Sequence, residues 1–490
     1  MPRLDPRWFC VCLVLGCNGG GSGDGDGGTG GDTAGSADDA SSNDDSATQS
    51  GSATQSGSAT QSSGDDDSGD GTSVDGGSDD GPAPGTPLLD RLDVVDVEVP
   101  EGVEAGTSSW RIWGTGALNV APVFTVPLVD CDTLIGYTSS GAGITPRVLR
   151  LDPDGALIGA FELTAGRELR GLAAEPDGFF GALVWDPMAQ RIWIDRFASD
   201  GGPVSSTELV NADNNPTDFG IGDSRLEYGD GTYGAYYHVH SLSGHEGDTL
   251  KWVAADSGVE STEWGWGCSH SMSDVLRFNT TVGQFLSACV TDCYPGTDGD
   301  FATQSIGGVY LEAGFAKIID VDAGCNGSVA GELGTAAPHP GGWGVVFNAH
   351  QAPATLGQSS YDPVAMDQDV GFSAVSGDRT PGAVVWLTTT PGVNEDDSSI
   401  GWFRPAGDDT EQFVVGWHEP PSTYQLARID AAGAVLEGPV DATAIAAWGR
   451  RDDPFREHTD GDVVWSWFDT PGSTTLHVAR IDAGAPAQCE

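Results

Sequence analysis

A short pattern, a turn rich in glycine and aspartate followed by a run of strand-forming residues, recurs along most of the chain. Clear copies occupy 176–185, 229–238 and 459–468, and looser copies begin at Gly341 and Asp408. Glycine and aspartate favour tight turns, and the residues after them favour strands. Because no run of helical period and length interrupts this pattern, the chain is expected to fold into many short antiparallel strands.

A second pattern is a strand that ends in a hairpin turn. It fills 148–158 and 426–436, and partial copies occur at 275–279 and 478–482. The two patterns alternate at intervals of roughly 40 to 50 residues, as expected if each pair forms one four-stranded antiparallel sheet. Such sheets, repeated radially about an axis, form a β-propeller.

The sequence therefore predicts an all-β fold over residues 91–490, a β-propeller of about seven four-stranded blades. Six or eight blades also remain open, because the stretch 285–345 is irregular. The segments 94–99 and 110–113 are expected to complete the last blade and close the ring. The rival architecture is two β-sandwiches in succession, which explains less well why one pattern occurs near both ends of the domain.

Residues 18–90 differ in composition from the domain that follows them. Glycine, serine, aspartate, threonine, alanine and glutamine dominate up to residue 87, and this part has no lysine or arginine. Such a segment buries too little apolar surface to offset the entropy that ordering it would cost. We expect a disordered acidic tether with a root-mean-square reach of roughly 45 Å.

The residues 1–17 have the order of a signal peptide. Arg3 and Arg7 precede an apolar run that is far shorter than the roughly 20 residues of a membrane-spanning helix. The run ends in Leu15-Gly16-Cys17, which resembles the lipobox of bacterial lipoproteins. The resemblance implies lipidation of Cys17 and an exported protein anchored to a membrane, with the outer membrane or cell surface as its expected location. An ordinary secretory signal is the alternative.

The folded domain contains six cysteines, which are Cys131, Cys268, Cys289, Cys293, Cys325 and Cys489. An exported domain favours disulfides, but six cysteines allow 15 pairings and the sequence does not choose among them. One pairing has a topological reason, since Cys131 and Cys489 come close together if the ring closes. The other four are then expected to brace the irregular stretch, with a zinc site as the alternative.

Four of the nine histidines fall between residues 238 and 270. His238 and His240 are expected on one face of a strand, because side chains at i and i+2 share a face. With His270 and His245 they form a candidate site for zinc or copper, since neutral imidazoles are good ligands for both ions. The alternative is a hydrogen-bonded structural pair.

The stretch 244–356, with its Trp-Gly-Trp-Gly-Cys run and its cysteines, follows a Gly/Ser/Asp-rich tether and precedes repeats such as 427–436. In these features the chain resembles uncharacterised exported lipoproteins of myxobacteria-like bacteria that carry a β-propeller-like repeat domain. The resemblance implies a location and a fold, and it implies no activity.

The formal net charge of −52 argues against nucleic acid as a partner, because such a surface repels phosphates. The sequence also lacks the motifs of phosphate loops, dinucleotide sites and metalloproteases in the right structural context. It predicts a membrane-anchored, non-catalytic propeller that binds a protein, a glycan or another extracellular ligand through its loops. The alternative is a metal-dependent or hydrolytic enzyme that uses the central funnel.

Overall fold

The computed structural model describes residues 82–83, 85–106, 120–141, 143–209, 220–240, 246–264, 273–293, 308–311, 316–320, 328–329, 331–349, 351, 368–449 and 455–484. All of them belong to one compact unit, Gly76–Glu490. The signal peptide, Cys17 and nearly all of the tether lie outside these residues, so their assignment stays a prediction. In the described part of the chain, no helix is long and apolar enough to cross a membrane.

The described strands form seven antiparallel sheets, six of four strands and one of five. We call them blades 1 to 7 and give their strands from the channel outward. Blade 1 consists of β2 (Phe124–Pro127), β3 (Thr133–Ser139), β4 (Thr145–Leu151) and β5 (Leu157–Glu162). Blade 2 consists of β6 (Glu168–Ala174), β7 (Phe180–Asp186), β8 (Arg191–Phe197) and β9 (Pro203–Glu208). Blade 3 consists of β10 (Gly220–Gly229), β11 (Thr232–His240), β12 (Glu246–Ala254) and β13 (Glu260–Trp264).

The remaining blades follow the same order. Blade 4 consists of β14 (Ser273–Asn279), β15 (Gln284–Cys293), β16 (Gly308–Leu311) and β17 (Ala316–Asp320), with β18 (Ser328–Val329) paired to β15. Blade 5 consists of β19 (Gly331–His339), β20 (Gly342–Ala349), β21 (Asp369–Ser376) and β22 (Val385–Trp386). Blade 6 consists of β23 (Asp396–Phe403), β24 (Gln412–Glu419), β25 (Thr423–Asp430) and β26 (Val435–Asp441). Blade 7 consists of β27 (Arg456–Glu457), β28 (Val463–Trp467), β29 (Thr475–Ile481) and β1 (Leu92–Glu98).

The seven blades close into a ring. The innermost strand of each blade packs against that of the next, and β27 of blade 7 packs against β2 of blade 1. Strand β1, from the start of the domain, pairs with β29 and forms the outer edge of blade 7. At the junction of blades 7 and 1, the hydroxyls of Thr125 and Ser466 lie 2.6 Å apart. The predicted β-propeller and its closure by the segment 94–99 are therefore confirmed, and two separate β-sandwiches are not formed. The other segment expected to complete the last blade, 110–113, lies outside the described residues.

The first sequence pattern corresponds to the hairpin after the innermost strand and to the second strand of a blade, as in β7, β11 and β28. The second pattern corresponds to the third strand and its hairpin to the fourth, as in β4 and β25. The partial copy at 275–279 lies in β14, an innermost strand, so its predicted equivalence is wrong. Five residues with strand propensity fit any position in a sheet, which explains the error.

An arginine in the third strand recurs in blades 1, 2 and 7, and each one contacts carboxylates in the first hairpin of its own blade. The pairs are Arg150 with Asp130 and Asp132, Arg196 with Glu175, and Arg480 with Asp460 and Asp462. Arg196 is bidentate, because its Nε and Nη2 donate to the two carboxylate oxygens at 2.5 and 2.8 Å. Such charge-assisted bonds hold the hairpin in place on its sheet.

Apolar side chains fill the spaces between neighbouring blades. Between blades 1 and 2, the stacked rings of Phe180 and Phe197 have centroids 5.2 Å apart. Between blades 2 and 3, Tyr233 lies so close to Gly181 that a Cβ there would stand 2.5 Å from the ring. The Tyr233 hydroxyl donates to Glu175 at 2.5 Å. This dense packing fixes the ends of the innermost strands in space.

Candidate ligand-binding cavity

A cavity of about 400 Å³ opens at the end of the ring where the innermost strands finish. Residues near the end of every innermost strand line it, from Val126 in blade 1 to Glu457 in blade 7. Because these residues come from seven blades far apart in sequence, only closure of the ring brings them together. A cavity of this size accommodates a small ligand.

The floor of the cavity is a network of two glutamates and two arginines that spans the channel. Nη2 of Arg456 donates to Glu227 Oε2 at 3.0 Å, and Nη2 of Arg277 donates to Glu457 Oε2. Arg277 Nε also lies 3.9 Å from Glu227 Oε1. All four side chains are largely buried. Buried charges of this kind are stable only when they are paired and hydrogen-bonded.

Backbone groups complete the floor. The N–H of Phe278 donates to Glu227 Oε1 at 3.2 Å, and the N–H of Trp402 donates to Glu457 Oε1 at 3.5 Å. Each glutamate therefore accepts hydrogen bonds from both an arginine and the main chain. These bonds hold the two carboxylates in fixed positions on opposite sides of the channel.

A second charged layer lies further along the innermost strands. Arg225 stands two residues before Glu227 on β10, and its Nη1 donates to Asp223 Oδ1 at 2.5 Å. Arg170 on β6 is fully buried and pairs with Glu168. Asp223 also accepts the backbone N–H of Asp274 at 3.0 Å. The interior of the ring thus holds successive layers of paired charges beneath the cavity.

The rim of the cavity, which we define by Arg404, Asn279, Thr280, Thr281 and Thr459, carries a third arginine, Arg404, in a different environment. Nη2 of Arg404 donates to the carbonyl oxygens of His458 and Thr459 at 2.9 and 2.5 Å. Its guanidinium lies over the ring of Trp402, 4.8 Å from the centroid. Among the described residues, no carboxylate lies within ion-pairing distance of Arg404. Its charge is therefore held in place by carbonyl groups and an aromatic face.

Asn279 stabilises another part of the rim. Its Nδ2 donates to the carbonyl oxygens of His339 and Gly342 at 2.8 and 2.6 Å, which joins blade 4 to blade 5. Its Oδ1 accepts the backbone N–H groups of Thr281 and Val282 at 2.9 and 3.1 Å. One side chain thus fixes both its own hairpin and the neighbouring one, so Thr281 faces the cavity from a rigid turn.

Two histidines also line the cavity. Burial lowers the pKa of His339, and Glu411, which lies 3.1 Å from its Nδ1, only partly opposes this effect. His458 is almost fully buried, with Nδ1 3.2 Å from Asp460 Oδ1. Burial alone would raise the pKa of Asp460, but the neighbouring His458 and the charge of Arg480 together lower it. The imidazole of His339 is therefore expected to be neutral at pH 7.

The described lining of the cavity carries more positive than negative side chains, although the chain as a whole is strongly acidic. The lining includes three arginines (Arg277, Arg404 and Arg456) and two glutamates (Glu227 and Glu457). Among the described lining residues, the two glutamates balance Arg277 and Arg456, which leaves the charge of Arg404 in excess, on a chain whose formal net charge is −52. The local electrostatics therefore favour an anionic group in the cavity.

The histidines expected to bind metal are only partly described. His238 is buried on β11 opposite Asp248 of β12, and His240 stands opposite Glu246. The side chain of His240 and all of His245 and His270 lie outside the description. His238 is near the end of β11 that is remote from the cavity, because Glu227 pairs with Gly234 nearer the start of that strand. The zinc or copper site stays a prediction.

Only two of the six cysteines expected in disulfides have described side chains. Cys131 and Cys289 are fully buried, and Cys131 Sγ lies 3.8 Å from Thr459 Oγ1 near the cavity rim. Cys293 ends β15, but its side chain is outside the description, as are Cys268, Cys325 and Cys489. The pairing of Cys131 with Cys489 therefore stays a prediction.

Reasoning from sequence did not identify the residues of the cavity. Arg277 lies in a segment that we noted only as a possible repeat, and Glu227, Arg404 and Glu457 carried no motif. The signal that could have found them is a charged residue near the end of an otherwise apolar strand, as Arg277 is between Leu276 and Phe278. That signal becomes informative only when the strand is known to be innermost.

No family model and no curated protein matches the chain. Several solved structures are similar to it. The Dos1 propeller has a TM-score of 0.40 at 10% identity, over 78% of this chain and 95% of the other. The β-propeller domain of the Trilobed protease from Pyrococcus furiosus has a TM-score of 0.39 at 10% identity, over 74% of this chain and 93% of the other. The α-L-arabinanase of Penicillium chrysogenum has a TM-score of 0.37 at 10% identity, over 79% of this chain and 99% of the other. At such identities and TM-scores these similarities carry no conclusion about activity or ligand.

Proposed function

We propose that this chain is an exported lipoprotein whose β-propeller is a non-catalytic module that binds a protein, a glycan or another extracellular ligand. The observation that carries the proposal is the cavity at the mouth of the ring, with its fixed floor and rigid rim. A pre-formed site loses little conformational entropy when a ligand binds, and this favours binding.

The chemistry of the floor supports binding rather than proton transfer. A general acid or base must reach the proton of a substrate directly or through one water. The carboxylates of Glu227 and Glu457 are instead engaged by arginines and backbone N–H groups. Arranged in this way, they position the arginines and shape the cavity.

Binding is best tested with the full chain carrying Cys17→Ser, which removes the proposed lipid site. This protein would be applied to a glycan array and used in pull-downs from envelope extracts, with and without Asn279→Ala. We expect saturable binding that weakens when Asn279 no longer fixes the rim. Conversion of a bound glycan into product would support the enzyme instead, and identical binding by both proteins would place the ligand elsewhere.

The proposed anchor rests on Arg3, Arg7 and the Leu15-Gly16-Cys17 segment. Cys17→Ser should abolish labelling by an alkyne fatty acid and move the protein from the detergent phase to the aqueous phase. Cys12→Ser, in the same signal peptide, is the matched control and should keep the label. Lipid on the Cys17→Ser protein would contradict the proposal.

One observation favours the alternative, a hydrolytic enzyme. Glu395 is almost fully buried just before β23, at the end of the ring remote from the cavity. Burial, together with the charges of Asp369 and Glu419, raises its pKa to about 7, against hydrogen bonds from Thr390 and Thr388. A carboxyl group with such a pKa can act as a general acid near neutral pH. Loss of a measured hydrolytic activity in Glu395→Gln, with ligand binding in the cavity unchanged, would support this alternative.

A further inference from the structure

We propose that the cavity binds a ligand through its carboxylate group, and that Arg404 is the residue that recognises this group. This inference rests on the proposed binding function and names the class of ligand. Its starting point is the excess positive charge among the described residues of the cavity lining, on a strongly acidic chain. An acidic protein attracts few anions elsewhere, so a local positive site gives selectivity as well as affinity.

Arg404 has the geometry of a binding residue. Both of its hydrogen bonds to described residues are made by Nη2, which donates to the carbonyl oxygens of His458 and Thr459. These bonds and the ring of Trp402 hold the guanidinium in one orientation. In the described part of the chain Nη1 makes no hydrogen bond, so it remains available to a ligand.

The other cationic groups of the cavity differ from Arg404. Arg456 is paired with Glu227, and Arg277 is paired with Glu457. An incoming anion would have to compete with a bound glutamate at either arginine. At Arg404 it competes only with water, because the partners of this guanidinium are uncharged. The geometry therefore places the anion at the rim beside Arg404.

Hydroxyl groups near the rim favour a ligand that also carries neutral polar groups. Thr280, Thr281 and Thr459 line the same cavity, and Asn279 holds the first two in a fixed turn. The cavity volume of about 400 Å³ suits a monosaccharide acid or the end of a peptide. These two sources share the carboxylate, and the experiment separates them.

The test is titration calorimetry on the full chain with Cys17→Ser. The probes are glucuronate, its uncharged amide, and a short peptide with either a free or an amidated C-terminus. We expect binding of glucuronate or of the free peptide, and at least about tenfold weaker binding of the matched amide. Whichever acid binds identifies the source of the carboxylate. If neither acid binds at millimolar concentrations, the inference is wrong.

Variants connect this binding to Arg404. Arg404→Gln should weaken binding of the acid by about tenfold or more, Arg404→Lys should restore part of it, and added salt should weaken it in the parent protein. Arg191→Gln, at an exposed arginine in β8, is the matched control and should bind as the parent does. Equal affinity for the acid in the Arg404→Gln protein, or equal affinity of the parent for inorganic phosphate, would overturn the assignment.

The carboxylate inference and the proposed binding function can fail separately in these experiments. If the array finds a neutral ligand whose binding depends on Asn279, the propeller is a binding module and only the carboxylate inference fails. Circular dichroism and thermal unfolding of each variant show whether it is folded. The salt dependence and the comparison of acid with amide use the parent protein, so they test the inference even if Arg404→Gln does not fold.

Discussion

Arg277 and Glu457 form an ion pair across the channel, although their strands belong to blades on opposite sides of the ring. They are 180 positions apart in sequence, and both side chains are largely buried. The contact joins blade 4 to blade 7, which also contains the strand that closes the ring. It therefore connects the floor of the cavity with the closure of the fold.

Replacing Glu457 with glutamine should destabilise the domain by about 3 kcal/mol, because Arg277 would keep its charge in a buried place without its main partner. The measurement is urea unfolding followed by tryptophan fluorescence. Glu208→Gln removes a more exposed partner, that of Arg191, and should cost less than about 1 kcal/mol. Replacing both members of the buried pair, with Arg277→Met and Glu457→Leu, should recover much of the loss. Equal losses for Glu457→Gln and Glu208→Gln would refute the buried role.

Introducing a charge into β1 should open the ring. Val97 is buried among apolar residues that include Leu149 and Leu151 of blade 1, and it pairs with Leu476 of β29. Val97→Asp should therefore lower the free energy of unfolding by about 3 kcal/mol or more and expose the N-terminal strand to protease. Asp93→Asn, at an exposed position of the same strand, should change neither property by much. Unchanged unfolding of the Val97→Asp protein would show that β1 is dispensable for closure.

The blades could be predicted from sequence because their information is local. A hairpin needs turn residues between two strand-forming runs, so each copy is readable in about ten residues. The closing strand was also predictable, since a ring needs a partner for its last edge. The position of the segment 275–279 in its blade was not predictable, because a short strand-forming segment does not reveal whether its strand is inner or outer.

The cavity could not be predicted, for the opposite reason. Arg277, Arg404 and Glu457 are ordinary charged residues in three different blades, and their meaning depends on contacts that only the closed ring creates. The histidines attracted attention because they are close together in sequence. Nearness in sequence identifies a strand or a loop, whereas a site at the axis of a propeller collects one or two residues from each blade.

The expected disulfide between Cys131 and Cys489 concerns the same closure. Cys131 is fully buried in the hairpin after β2, next to Thr459 of blade 7. A cross-link from the start of the ring to the end of the chain would restrict the unfolded state strongly, because it closes a loop of several hundred residues. Peptide mapping under non-reducing conditions should find this linked pair of peptides. Finding Cys131 as a free thiol, or linked to a cysteine of the 268–325 group, would remove the topological argument.

Glu395 should make stability depend on pH. Burial and the neighbouring carboxylates raise its pKa to about 7 in the folded protein, against an ordinary value of 4.5. Between these two values the folded state keeps a proton that the unfolded state has lost. The free energy of unfolding should therefore fall as pH rises from about 4.5 to about 7, and this contribution should stay constant at higher pH.

Glu395→Gln removes this dependence, because the amide is neutral at every pH and has nearly the shape of the protonated acid. We expect it to stabilise the domain at pH 8 by up to about 3 kcal/mol relative to the parent, with the difference vanishing below about pH 4.5. Urea unfolding of both proteins at several pH values measures it. Asp256→Asn, at an exposed turn of blade 3, is the control and should follow the parent throughout. If Glu395→Gln is instead equally or less stable than the parent at pH 8, the carboxyl is not destabilised by its burial, and its use as an acid near neutral pH loses its support.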